Sequence, residues 1–159
     1  MPSLVKTQSF GSSCNNKKSC SFGDVAATSF YPAKPLGCYG DGGAIFTDDS
    51  TKANMYRSIR VHGQGKDKYD NIRVGLNSRL DTLQAVVLLN KLKIFDEELI
   101  LRQEIAASYS DFLSNYLIIP YVGKSNKSAW AQYSVRAKSN QERSNLIEYL
   151  NRKNIPTAI

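Results

Sequence analysis

Ser29-Phe30-Tyr31-Pro32-Ala33-Lys34-Pro35-Leu36-Gly37, continuing through Cys38-Tyr39-Gly40-Asp41-Gly42-Gly43-Ala44, decides how this chain reads. The apolar run Val25-Ala26-Ala27-Thr28-Ser29-Phe30 stops at a proline, and one lysine follows in a glycine-rich turn. A second β-like run, Ala44-Ile45-Phe46-Thr47, then leads away. Pro32 and Pro35 fix their own φ and restrict Ala33 and Lys34, so the lysine is carried on a stiff segment. Gly37, Gly40, Gly42 and Gly43 allow a tight turn or a close backbone approach. By itself this is also the composition of a plain surface turn with a solvated lysine.

Asp24–Phe30 has no polar alternation and is flanked by turn signals, which predicts a short strand buried on both faces. Gly43–Thr47 is a second strand. Asp48-Asp49-Ser50 offers N-caps for a helix carrying Ala53, Met55, Tyr56 and Ile59, which should end near His62-Gly63. Residues 1–23 and 64–71 read as loop. From Leu80 to Leu113 apolar residues keep helical spacing for about nine turns, longer than a small domain is wide. That stretch is predicted to be one connecting helix. Leu117–Val122 and Trp130–Val135 read as paired strands, the first at an edge because of Pro120. Ser139-Asn140-Gln141-Glu142 is a capping-box pattern ahead of a last helix ending near Asn154, and Ile155–Ile159 reads as the start of another strand.

Composition sets bounds around these elements. The chain has 159 residues, 42% hydrophobic and 22% charged, enough for one domain with a core or parts of two. Its net charge is +7, but only Lys17-Lys18 are adjacent basic residues, so no basic tract argues for nucleic acid. The excess suits anionic small molecules. Cys14, Cys20 and Cys38 lack zinc-ligand spacing and read as reduced thiols. Met1–Asn16 is too poor in hydrophobic residues for a signal peptide, and Ala85–Leu89 is far too short to span a membrane. The expectation is a cytoplasmic protein with no membrane association.

Ser29 five residues before Lys34, and Gly40-Asp41-Gly42-Gly43 after it, resemble the lysine motif of the DegT/StrS family of pyridoxal-phosphate sugar aminotransferases. Gly75-Leu76-Asn77-Ser78-Arg79-Leu80-Asp81-Thr82-Leu83-Gln84-Ala85 resembles that family's second signature. The resemblance covers essentially the whole chain and implies an α/β fold, a fragment of the aspartate-aminotransferase-like PLP-dependent transferase fold. Residues 1–78 would be the C-terminal part of the large PLP-binding domain, 79–116 a long interdomain helix, and 117–159 an incomplete small α/β domain.

By the same resemblance, Lys34 is the Schiff-base lysine and proton carrier, and Ser29 donates to the cofactor phosphate. Gln8, in Gln8-Ser9-Phe10-Gly11, falls on the glutamine beside the cofactor ring. Asn77 matches an asparagine that reaches the phosphate of the neighbouring subunit, which implies a homodimer. Arg79 faces substrate phosphate or carboxylate, or else is a surface arginine at a helix start. His62, the single histidine, sits in a His-Gly ahead of a loop without a proton-carrying role. One position departs from the pattern. Where the family places the aspartate that pairs with the pyridine nitrogen, this chain has Val5, which cannot accept that proton.

The implied function is transfer of an amino group from an amino acid such as glutamate to a keto sugar nucleotide. Gly63–Asn71 and Leu80–Ala85 look most like members making aminated UDP-sugars for surface polysaccharide. A branch that dehydrates sugars has histidine where Lys34 stands. A second reading stays open: a truncated, non-catalytic remnant that binds cofactor weakly or pairs with a full-length relative. With so few strands, the chain is expected to expose apolar surface along Val25–Phe30 and to associate when alone.

Overall fold

The computed structural model describes residues 8–159 and the backbone of Leu4–Val5. In chain order the elements are β1 (Leu4–Val5), β2 (Ser13–Cys14), β3 (Lys17–Lys18), β4 (Ala26–Ser29), β5 (Gly43–Phe46), α1 (Ser50–Ile59), α2 (Thr82–Leu92), α3 (Phe95–Leu113), β6 (Asn126–Lys127) and α4 (Asn140–Arg152).

β4 is the centre of one sheet, ordered β1-β4-β5. β1 runs parallel to it, with Leu4 opposite Ala26 and Val5 opposite Ala27. β5 runs antiparallel, from Ala26 opposite Phe46 to Ser29 opposite Gly43. Ala26, Thr28 and Phe30 turn inward and are buried, while Val25, Ala27 and Ser29 on the other face are half-buried. The strand therefore alternates and is not buried on both faces, nor does it carry the exposed apolar surface expected of it. That surface lies elsewhere, on Ile72, Val74 and Leu76 of the segment after α1 and on Leu83 and Leu89 of α2. The reason is β5 on one side of β4 and the helices over its inner face.

The core sits between this sheet and the junction of α2 with α3. Phe30, Leu36, Cys38, Leu88 and Phe95 form its buried cluster, with Phe10, Ala44, Leu80 and Leu99 packed against it. The Phe10 ring lies 6.0 Å edge-on from Phe30 and 5.7 Å from Phe95. Such contacts add to the area that each aromatic side chain removes from water.

The single helix expected over 79–116 is two helices, with a break at Lys93-Ile94. No Pro or Gly causes it. The Asn90 side chain turns back to the Val86 carbonyl, and Ile94, at φ −111° and ψ 1°, leaves helical geometry. The bend drives Phe95 into the core, and Asp96, Glu97 and Glu98 then occupy the first turn of α3, where the helix dipole favours acidic residues.

Residues 1–23 are not all loop. β2 and β3 form a hairpin, and β6 pairs with β2 to complete a sheet ordered β3-β2-β6. This joins an early segment to one more than a hundred residues later. Loop 64–71 is likewise closed on itself, by an antiparallel bridge between Gln64 and Asn71. The strand pair expected at 117–122 and 130–135 reduces to one antiparallel bridge, Ile118 to Arg136. Side-chain bonding to α3 takes its place: Trp130 Nε1 donates to Gln103 Oε1 at 2.9 Å, and Ser110 and Tyr133 share a hydrogen bond at 2.9 Å. Residues 155–159 form no strand.

α4 carries the expected cap. Ser139 Oγ accepts from Glu142 N–H at 3.1 Å, and Glu142 Oε2 accepts from Lys138 N–H at 2.6 Å. Among the described residues, no helix is long and apolar enough to cross a membrane.

Candidate functional site

Residues 30–42 form an excursion between the paired ends of β4 and β5, and hydrogen bonds close its neck. Phe30 N–H donates to Gly42 O at 2.7 Å, and Cys38 N–H to Phe30 O at 2.8 Å. The Cys38 thiol donates within 2.9 Å of the Phe30 carbonyl and 3.0 Å of the Gly40 carbonyl. Pro35, Leu36, Gly37 and Cys38 are buried as the turn's anchor, whereas Tyr31, Pro32 and Ala33 are exposed. Gly37 is required by contact: a Cβ there would lie 2.6 Å from the Pro32 carbonyl oxygen.

Lys34 lies at the crest of this turn. Its backbone N–H donates to Tyr31 O at 2.9 Å, and its residue is half-buried. Its ammonium has no hydrogen bond or ion pair among the described residues. A stiff, anchored turn thus presents one amine at the carboxyl end of β4, the side of an α/β sheet where ligands commonly bind.

Ser29, the last residue of β4, accepts from Tyr31 N–H at 3.2 Å through Oγ, which leaves its hydroxyl proton free to donate. Because β1 is parallel to β4, Gln8, three residues past Val5, follows β1 at this same end of the sheet, and it is exposed. The side chain of Val5 lies outside the described residues. Ser29 and Lys34 thus stand five residues apart at the carboxyl end of β4.

Asn77 and Arg79 are placed differently. The segment carrying them is tied to the end of α1: Leu76 N–H donates to Ile59 O at 2.7 Å, Ser78 N–H to Arg60 O at 2.9 Å, and Val61 bridges Asn77. Both side chains are exposed, and no hydrogen bond among the described residues joins them to the Lys34 turn. His62 is in the left-handed region, at φ 59°, as part of the same crossing, with its N–H on Leu76 O.

Three residues of the turn's support went unread in the sequence. Cys38 grouped there with the other free thiols, yet it alone bonds the neck of the turn. Gln84 and Lys91 of α2 bond the turn from outside, at Tyr39 N–H and Gly37 O. Their signal was present as spacing: 84, 88 and 91 share one helical face, and Leu88 is buried.

A cavity of about 920 Å³ reaches the neck of this turn at Phe30 and Gly43 but not its crest. Its walls include Ala27, Thr28, Ile45, Tyr56, Arg57 and Arg60, and exclude Lys34, Ser29 and Gln8. No group of side chains suited to a metal ion occurs among the described residues.

The chain is 51% identical over 153 residues to a UDP-2-acetamido-2-deoxy-3-oxo-D-glucuronate aminotransferase of Pseudomonas aeruginosa, covering 96% of this chain and 42% of that protein. It is 42% identical to a dTDP-3-amino-3,6-dideoxy-alpha-D-galactopyranose transaminase of Aneurinibacillus thermoaerophilus, covering 96% and 41%. A DegT DnrJ EryC1 StrS aminotransferase structure from Brucella abortus superposes with a TM-score of 0.94 at 48% identity, over 99% of this chain and 41% of that one. S. venezuelae DesV, solved in complex with a ketimine intermediate, superposes at 0.88 with 33% identity, over 96% and 41%. The chain therefore spans about two fifths of the length of these relatives. The profile of the DegT/DnrJ/EryC1/StrS aminotransferase family matches residues 6–159, and the chain belongs to that family.

Proposed function

We propose that this chain provides the cofactor lysine and part of the cofactor pocket of a nucleotide-sugar aminotransferase that uses pyridoxal 5′-phosphate. The observation that carries this reading is Lys34 itself: a half-buried residue whose amine has no side-chain partner among the described residues, on a turn anchored at its neck and back. Pyridoxal phosphate, when bound, supplies an electrophilic carbon and an electron-withdrawing ring. The donor set fits that group. Lys34 Nζ would be the nucleophile that holds it and, when free, a proton carrier. Ser29 Oγ would donate its free proton to the phosphate, and Gln8 would contact the ring.

Asn77 and Arg79 serve other parties in this reading. Asn77 reaches the phosphate held by a second subunit, so the working unit is a homodimer, and Arg79 faces an anionic group of the substrate. Their exposure and the exposed Ile72, Val74 and Leu76 beside them support this assignment. The amino group passes from an amino acid such as glutamate to a keto sugar nucleotide, in the cytoplasm, for surface polysaccharide. In this reading 1–78 is the large-domain portion, 79–116 the connector, built here as two helices, and 117–159 the small-domain portion.

A second reading is favoured by Val5, which cannot pair with a pyridine nitrogen: a non-catalytic family member that binds the cofactor weakly or pairs with a relative. One experiment tests both. The chain is mixed with pyridoxal phosphate, reduced with borohydride and digested. A phosphopyridoxyl group on the Lys34 peptide, absent from Lys34→Ala, is expected. No adduct, or one indifferent to that substitution, overturns the cofactor assignment. Amino transfer from glutamate to a keto sugar nucleotide then separates the enzyme from the remnant.

A further inference from the structure

The neck of the Lys34 turn is closed from within, but its far limb is held from α2. Gln84 Oε1 accepts from Tyr39 N–H at 2.7 Å, and Lys91 Nζ donates to Gly37 O at 2.7 Å. The two side chains are seven residues apart, about two helical turns, and so project from one face. Between them Leu88 packs in the buried cluster with Leu36 and Cys38. Lys91 Nζ also lies 4.8 Å from the centroid of the Tyr39 ring. Gly40 accommodates the first contact, since a Cβ there would lie 3.2 Å from Gln84 Nε2.

These contacts occupy the backbone groups that residues 37–39 turn toward the helix. Gly37 is buried, and its carbonyl accepts from an ammonium, a charge-assisted bond stronger than a neutral one. Only Pro35 and Leu36 separate Gly37 from Lys34, and the proline ring is stiff, so a displacement of the far limb is passed to the lysine with little slack. The second sequence motif, which carries Gln84, is in this way mechanically joined to the first.

We propose that Gln84 and Lys91 are positioning residues for Lys34: α2 clamps the turn at Tyr39 N–H and Gly37 O and thereby sets where the amine stands. The inference deepens the reading of Lys34 as the cofactor lysine and rests on it for its catalytic meaning.

The test uses the 159-residue chain and four variants: Gln84→Met and Lys91→Met, which abolish the bonds at similar volume, and Gln84→Glu and Lys91→Arg, which keep them. Two readouts need no cofactor, namely amide hydrogen exchange across 36–41 and the rate at which trace acetic anhydride labels Lys34 Nζ. A third is the rate of the borohydride-fixed pyridoxal phosphate adduct at Lys34. Loss of one hydrogen bond should speed exchange at Tyr39 by about ten-fold in Gln84→Met. Labelling and adduct rates at Lys34 should shift several-fold in both Met variants, about five-fold or more, with exchange in α4 unchanged and both rates restored in Glu and Arg.

Unchanged exchange over 36–41 overturns the clamp. Faster exchange with Lys34 labelling as in the parent overturns the positioning role. Global loss of protection in the Met variants with the Glu and Arg variants equal to the parent in exchange but not in labelling also overturns it. If the parent forms no adduct while labelling responds to the substitutions, the cofactor reading fails and the clamp stands.

Discussion

Cys38 and Phe30 are joined twice: the backbone N–H and the thiol of Cys38 both donate to the carbonyl oxygen of Phe30, at 2.8 and 2.9 Å. One acceptor thereby closes a loop of seven intervening residues with Lys34 at its middle. Cys38 is fully buried, and its thiol reaches the Gly40 carbonyl as well.

Cys38→Ala should lower stability by about 1–2 kcal/mol, the loss of one buried hydrogen bond together with a small void. Cys38→Ser keeps a donor and should recover at least half of that. Urea denaturation of the three proteins measures the difference, and Ala and Ser equally unstable would show that packing alone accounts for the thiol.

Gly37→Ala places a methyl 2.6 Å from the Pro32 carbonyl oxygen, a backbone atom in a proline-stiffened segment that cannot simply swing aside. A loss of about 1–3 kcal/mol is expected, as for overpacking elsewhere, together with slower adduct formation at Lys34. A variant as stable as the parent, with the same adduct rate, would contradict the close approach.

Phe95 is the residue for which the α2–α3 break exists, and it packs on Phe10, Leu88 and Phe30. Phe95→Ala should cost about 3–5 kcal/mol. Phe95→Leu, which keeps most of the volume, should cost much less. Thermal unfolding by circular dichroism reports both, and a small loss for Phe95→Ala would place the core elsewhere.

Asp49 caps α1, accepting from Thr51 and Lys52 N–H at 2.8 and 3.1 Å. The bond from the Lys52 N–H, with that of Thr51 and the Lys52 charge, holds its carboxyl below the usual carboxylate range. A depressed folded value means the cap contributes above the unfolded pKa and is lost as pH falls through the folded one. Protection factors at the Thr51 and Lys52 amides, corrected for the intrinsic pH dependence of exchange, should fall on acidification and lose that step in Asp49→Asn. A pH-independent exchange ratio between the two proteins would refute the cap.

Much of the Lys34 turn was legible in the sequence, because its determinants are local. Proline rings, glycine spacing and a strand ending at Ser29 act within a few residues. The capping box at Ser139 was legible for the same reason. The β2–β6 pairing was not, because short polar segments carry no periodicity that names a partner more than a hundred residues away. Asn77 and Arg79 could be picked out as a motif, yet their exposed place on the α1 crossing follows from backbone bonds at 59–62 that no spacing encodes.

The sequence by itself determined the α/β class, the family, the two motifs and the lysine at their centre. Only the tertiary structure decided that the long apolar stripe bends at Ile94, because burying Phe95 against Phe10 outweighs the continuity of one helix. It also decided that Gln84 and Lys91 hold the Lys34 turn, because hydrogen bonds over 45 and 54 residues depend on how helix and sheet pack and not on local propensity.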